Sequence, residues 1–136
     1  MESHVGMILN EIEGYKDHRA DRYFDIYPDL DGQITVSIVE PNQISGWHRH
    51  QLQFDIFFVA AGELKIAVIS PDGLVEEAVL GADNRQTIYI PSGHWHCYRS
   101  FDSQATLIYY LSRKHNENDE YRATEEEILS RFQYRI

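Results

Sequence analysis

Gly46-Trp47-His48-Arg49-His50, then Asp55 and Gly62, and further on Pro91-Ser92-Gly93-His94-Trp95-His96, form a spaced set of residues able to do chemistry. Imidazole titrates near neutral pH, so a histidine can take a proton from a bound substrate and return it. Imidazoles joined by a carboxylate can equally hold a divalent metal ion with a coordination position left open. Residues i and i+2 of an extended strand point to one face, so His48 and His50 project together. Asp55 and His96 join them only where the chain folds back and its strands line one cavity.

The elements that must position this set are strands. Residues 33–40 alternate, with Ile34, Val36 and Ile38 on one side. Residues 54–60, 64–69, 75–80, 87–90, 94–100 and 105–111 read as further short strands. Turn signals separate them at Pro28-Asp29-Leu30-Asp31-Gly32, Ser70-Pro71-Asp72-Gly73, Gly81-Ala82-Asp83-Asn84 and Pro91-Ser92-Gly93. This rhythm predicts an all-β domain, an antiparallel jelly roll or barrel with its core over 33–112, within one domain covering 1–136. Residues 123–134 change period. Thr124 and Glu127 fit a capping box, and Ile128, Leu129 and Phe132 form an apolar stripe that packs a short C-terminal helix on the barrel. Residues 5–12 predict a short helix or an edge strand. An edge strand there offers a route to a homodimer.

Composition narrows the function classes. The net charge is −10, from 22 acids against 12 bases, which argues against a nucleic-acid surface. An anionic ligand then needs a local basic patch, and Arg49, Arg85 and Arg99 are candidates because arginine forks onto phosphate oxygens. Trp47 and Trp95 flank the histidines and can stack on a sugar or base, although filling the barrel mouth explains them equally well. The single cysteine, Cys97, cannot form an internal disulfide and reads as a buried thiol. There is no signal-like start and no apolar run of membrane-spanning length, so the expectation is a cytoplasmic protein without membrane partners. His4, His18 and His115 carry no motif and read as solvent-facing.

The spacing resembles the cupin superfamily. His48-x-His50, Asp55 and Gly62 match its first motif, with Asp where Glu is usual. Pro91, Gly93 and His96 match its second, with Ser100 where Asn is usual. The resemblance implies a double-stranded β-helix. A closer likeness joins residues 80–86, 90–96 and 105–109 to dTDP-4-dehydrorhamnose 3,5-epimerases. The His48-x-His50 pair, its distance to Gly62 and the span from Ile90 to Ser112 resemble sugar-nucleotide 3,4-ketoisomerases. The stretch 112–126, with Asn116-Glu117-Asn118-Asp119 and Arg122, looks like the tail of both groups. Arg19 and Arg22 lie in a region similar to an early Asp-x-Arg segment of the epimerases.

These resemblances imply an isomerase or epimerase that abstracts a proton beside the ketone of a nucleotide-linked 4-keto-6-deoxy sugar, with no cofactor required. His48 aligns with the base, Tyr109 with the facing acid, and His50 assists. Tyr109 reads equally well as a packed core aromatic. Glu126 or Glu127 falls near the acid that orients the histidine. The epimerases keep a lysine at the position of Asp55, where it would stabilise an enolate. An aspartate there reopens the metal reading, in which His48, His50, Asp55 and His96 hold Fe, Mn, Ni or Zn. Two alternatives stand beside the leading one: a metal-dependent cupin enzyme such as a small-molecule dioxygenase, and a non-catalytic sugar-binding cupin.

Overall fold

The computed structural model describes residues 6–136. Its strands are β1 (Gly14–Lys16), β2 (Ala20–Tyr23), β3 (Gln33–Val39), β4 (Trp47–Arg49), β5 (Asp55–Ala61) and β6 (Glu63–Ile69). Then follow β7 (Val75–Gly81), β8 (Thr87–Ile90), β9 (Trp95–Ser100), β10 (Ala105–Leu111), a 3-10 turn (Glu117–Asp119), β11 (Tyr121–Ala123) and α1 (Glu125–Phe132). They build a six-stranded sheet, β1-β2-β3-β10-β5-β8, and a five-stranded sheet, β11-β4-β9-β6-β7. Every pairing is antiparallel. The predicted all-β jelly roll is the observed architecture.

Alternation decides what lies between the sheets. Along β3 the inward positions run Gln33, Thr35, Ser37, Val39, all buried. Along β5 they run Asp55, Phe57, Val59, and β10 sets Leu111, Tyr109, Leu107 and Ala105 beside them. One end of the interior is therefore apolar. There Val39, Phe57, Val59, Leu64, Ile66, Leu80, Ile90 and Leu107 pack together. The other end is polar and hollow. Burial of the apolar end supplies the driving force that holds the polar end open.

A second core lies on the outer face of the five-stranded sheet. Trp47, Ala67, Ile69, Trp95 and Cys97 pack there under Ile128 of α1, with Phe132 and Tyr134 alongside. The helix forms where its capping box predicts. Glu127 N donates to Thr124 Oγ1 at 3.1 Å, and Thr124 N donates to Glu127 Oε1 at 3.1 Å. Because the helix covers it, β6 is buried on both faces and loses clean alternation at Ile66-Ala67.

Two glycines are needed where they stand. Gly62 has φ +70° in the β5–β6 turn, and a Cβ there would run into the Gln104 carbonyl. Gly93 has φ +82°, and its N–H donates to His50 O at 2.6 Å, tying the β8–β9 turn to the chain leaving β4. The expectation of a helix or strand over 5–12 fails: residues 6–12 form neither, and His4 and Val5 lie outside the described residues. The N-terminal strands are instead β1 and β2, too short and too charged to show a period. No helix among the described residues is long and apolar enough to cross a membrane.

Candidate active site

The polar end encloses a cavity of about 790 Å³, lined by His48, His50, Asp55, His96, Tyr98 and Tyr109 among others. Strand pairing assembles it. His48 on β4 lies opposite His96 on β9, with ring centroids 6.3 Å apart. His50, just beyond β4, is 5.5 Å from His96. Asp55 enters from the facing sheet at the start of β5.

His50, Asp55 and His96 converge. Their ligand atoms all lie within 4.8 Å of one another, and all three residues are buried. Asp55 Oδ2 is 3.5 Å from His96 Nε2 and 4.0 Å from His50 Nε2. His50 Nδ1 donates to Asp119 O at 3.0 Å and His96 Nδ1 to His94 O at 3.3 Å. Those bonds leave both Nε2 lone pairs turned toward a carboxylate, an arrangement that calls for a proton or a cation between them. Gln53 Nε2 holds the other oxygen of Asp55 at 2.6 Å. Burial raises the Asp55 pKa. Burial, reinforced by His48 and His50, lowers that of His96 to about 3.

His48 stands apart from this triad. Its Nδ1 lies 3.0 Å from Glu120 Oε1. The hydrogen bond from His48 holds the Glu120 carboxyl at a pKa of about 2, so it stays ionised and keeps the shared proton on Nδ1. Its Nε2, on a partly exposed ring at the cavity wall, is left free to meet a ligand. The resemblance to the epimerases implies an orienting acid at Glu126 or Glu127. The structure corrects this, because Glu127 closes the helix cap and Glu126 is exposed.

The segment 116–120 fixes both imidazoles. Asp119 is buried and accepts from the backbone N–H groups of Gln51, Leu52 and Gln53 at 2.9–3.2 Å. It thereby clamps the loop after His50 while its own carbonyl holds the His50 ring. Pairing of β11 with β4, with Arg122 opposite His48, brings Glu120 into reach. Asn116-Glu117-Asn118-Asp119 thus acquires a physical role that spacing alone did not supply.

At the mouth, Arg19 and Arg22 border the cavity. Asp17 pairs with both, at 3.1 and 3.3 Å, and Arg19 Nη1 donates to Ser45 O at 3.3 Å. Tyr98, two residues after His96 on β9, shares the cavity with Tyr109. Burial raises the pKa of both phenols, so both keep their protons at neutral pH. Nothing local in the sequence marks Tyr98, because its neighbour relations cross strands.

Other expected contacts lie elsewhere. Arg49 and Trp95 alternate out of phase with the histidines and pass to the outer face, where the Arg49 guanidinium carbon sits 5.2 Å from the Trp95 ring. Trp47 borders the cavity, but its ring packs in the second core, edge-on to Tyr134 at 6.0 Å. Arg85 donates to the carbonyls of Val59 and Ala60, and Arg99 lies 5.3 Å from the Phe101 ring. None of these side chains reaches the histidines. Ser100 is structural: its hydroxyl donates to Glu40 O at 2.7 Å and accepts from Gln43 N at 2.8 Å.

Residues 29–130 match the family described as "FdtA: WxcM-like, C-terminal". The chain is 28% identical over 92 residues to the spore coat polysaccharide biosynthesis protein SpsL of Bacillus subtilis (strain 168), an alignment covering 62% of this chain and 61% of that relative. Its fold is similar to the capsular polysaccharide assembling protein CapF of Staphylococcus aureus, with TM-score 0.76 and 22% identity. That match covers 85% of this chain but 32% of CapF. It is also similar to a dTDP sugar isomerase of Desulfovibrio desulfuricans G20, with TM-score 0.71 and 20% identity over 92% of this chain and 87% of that one. At such identities the solved structures establish the fold.

Proposed function

Because the chain belongs to the FdtA family of WxcM-like, C-terminal type, we propose that it is an isomerase or epimerase of a nucleotide-linked, dTDP-type 4-keto-6-deoxy sugar. The His48–Glu120 pair carries this reading. A ketone acidifies the neighbouring C–H bond, and removing that proton needs a neutral base facing the substrate. His48 Nε2 takes the proton, the C–H electron pair moves onto the carbonyl oxygen, and the anionic Glu120 stabilises the imidazolium through Nδ1. A buried phenol returns a proton at the next carbon or the opposite face. Tyr109 is the assigned acid, with Tyr98 the second phenol in reach of the cavity. The likeness to a dTDP sugar isomerase supports the substrate class.

The test is exchange of solvent deuterium into dTDP-4-keto-6-deoxyglucose. His48→Ala is expected to lower exchange by at least about 100-fold, the range of general-base contributions. Exchange at the wild-type rate in that variant overturns the assignment.

The triad supports a second component. His50, Asp55 and His96 would hold a divalent ion such as Fe, Mn, Ni or Zn, since both Nε2 atoms and one carboxylate oxygen converge with their other atoms tied back. Such an ion would polarise the substrate ketone as a Lewis acid. His48, committed to Glu120, is not part of this set. A homodimer is proposed on the open edge of β1, which pairs only with β2 among the described residues. A monomeric mass by sedimentation overturns it.

A further inference from the structure

On the outer face of the five-stranded sheet, Arg49 lies in a setting that its neighbours do not explain. Its guanidinium carbon sits 4.6 Å from the Tyr121 ring centroid and 5.2 Å from that of Trp95. Its Nε is closed off from solvent and has no hydrogen-bond partner. Among the described residues it pairs with no carboxylate. A half-buried guanidinium with an unanswered Nε–H is costly, and such groups in native proteins call for an explanation.

A small pocket of about 130 Å³ opens beside it. Arg131, in the last turn of α1, lines the same pocket with its guanidinium carbon 5.0 Å from the Phe132 ring. Two arginines thus line one pocket whose lining residues include no acid, in a chain of net charge −10. Two carboxylates stand close by and both are engaged: Asp72 on the adjoining turn accepts from the Ser70 hydroxyl, and Glu127, one helical turn before Arg131 and within reach of its charge, accepts from Thr124 N in the helix cap. The flanking rings hold Arg49 in one orientation, which spares the ordering cost of forking onto a ligand. The volume is too small for a nucleotide and suits a tetrahedral oxyanion.

We propose that the Arg49–Arg131 pocket is a second binding site, separate from the cavity, for a phosphate-type oxyanion. The backbone joins it to the cavity. Arg49 stands between His48 and His50, and Gly93, which lines the pocket, donates its N–H to His50 O at 2.6 Å. The site needs nothing from the isomerase reading.

The test titrates inorganic phosphate into the full chain by calorimetry and thermal shift, at constant ionic strength so that general screening is held fixed. The wild type is expected to bind saturably, and Arg131→Gln, an exposed helix position, to weaken binding at least tenfold. Arg49→Gln is expected to do the same if it folds. A parallel titration with glucose 1-phosphate separates the sources: binding that also depends on Arg131 assigns a sugar ester, and its absence assigns the free ion. Absence of saturable phosphate binding in the wild type overturns the proposal. So does unchanged binding in Arg131→Gln, or binding lost in Arg22→Gln instead, which would move the anion to the cavity mouth.

Discussion

His48 Nδ1 and Glu120 Oε1 lie 3.0 Å apart across 72 residues of sequence, joined by the pairing of β4 with β11. This contact orients the ring and fixes its tautomer. Glu120→Gln removes the negative charge with little change of shape. It is expected to lower kcat on the order of 100-fold with KM within about threefold, since the loss falls on the transition state. A change confined to KM would refute the orienting role.

The same pair predicts a pH dependence of stability. Glu120 has its pKa lowered from 4.5 to about 2 by the hydrogen bond from His48. Between those values the unfolded chain binds the proton and the folded chain does not. The contribution is therefore fully present above about pH 4.5 and is lost as pH falls toward 2. In urea melts, the stability gap between wild type and Glu120→Gln should narrow over that window. A gap constant with pH would show that the carboxylate adds no linked stability.

The converging triad predicts a metal stoichiometry. Protein purified with supplied Zn or Mn is expected to carry about one ion per chain by elemental analysis. Asp55→Ala and His50→Ala should lose it, while His48→Ala should keep it, because His48 is committed to Glu120. Equal loss in His48→Ala would return His48 to the ligand set.

Outward-facing arginines predict unaltered substrate affinity. Arg85→Gln and Arg99→Gln should leave KM for a nucleotide sugar within about twofold, whereas Arg22→Gln at the cavity border should raise it several-fold. The reverse pattern in steady-state kinetics would put the substrate on the other face.

Cys97 is 1% exposed and burial pushes its thiol up to about 12. At pH 8 the thiol is therefore held protonated, and thiolate is the reactive form. Iodoacetamide should leave the native protein unlabelled over hours and label it fully in denaturant, as read by mass spectrometry. Rapid native labelling would mean that the helix α1 opens readily.

Sequence alone determined the fold class and the central histidines. Alternation is a local property, so Gln33–Val39 and Ala105–Leu111 declare themselves as strands, and Thr124 and Glu127 declare the helix start. His48-x-His50 shares a face for the same reason. What sequence could not decide was which partner each ring would meet. His48 and His50 are chemically alike and two residues apart, yet one faces an ionised Glu120 and the other a buried Asp55. That division depends on strand register and on a loop clamped by Asp119, both set by long-range pairing. Arg49 and Trp95 went to the outer face because one residue of phase reverses a strand's side chains. The helix then covered that face and made it a second core. The residue types fixed what chemistry was on offer; packing of the two sheets decided which imidazole meets Glu120 and which meets Asp55.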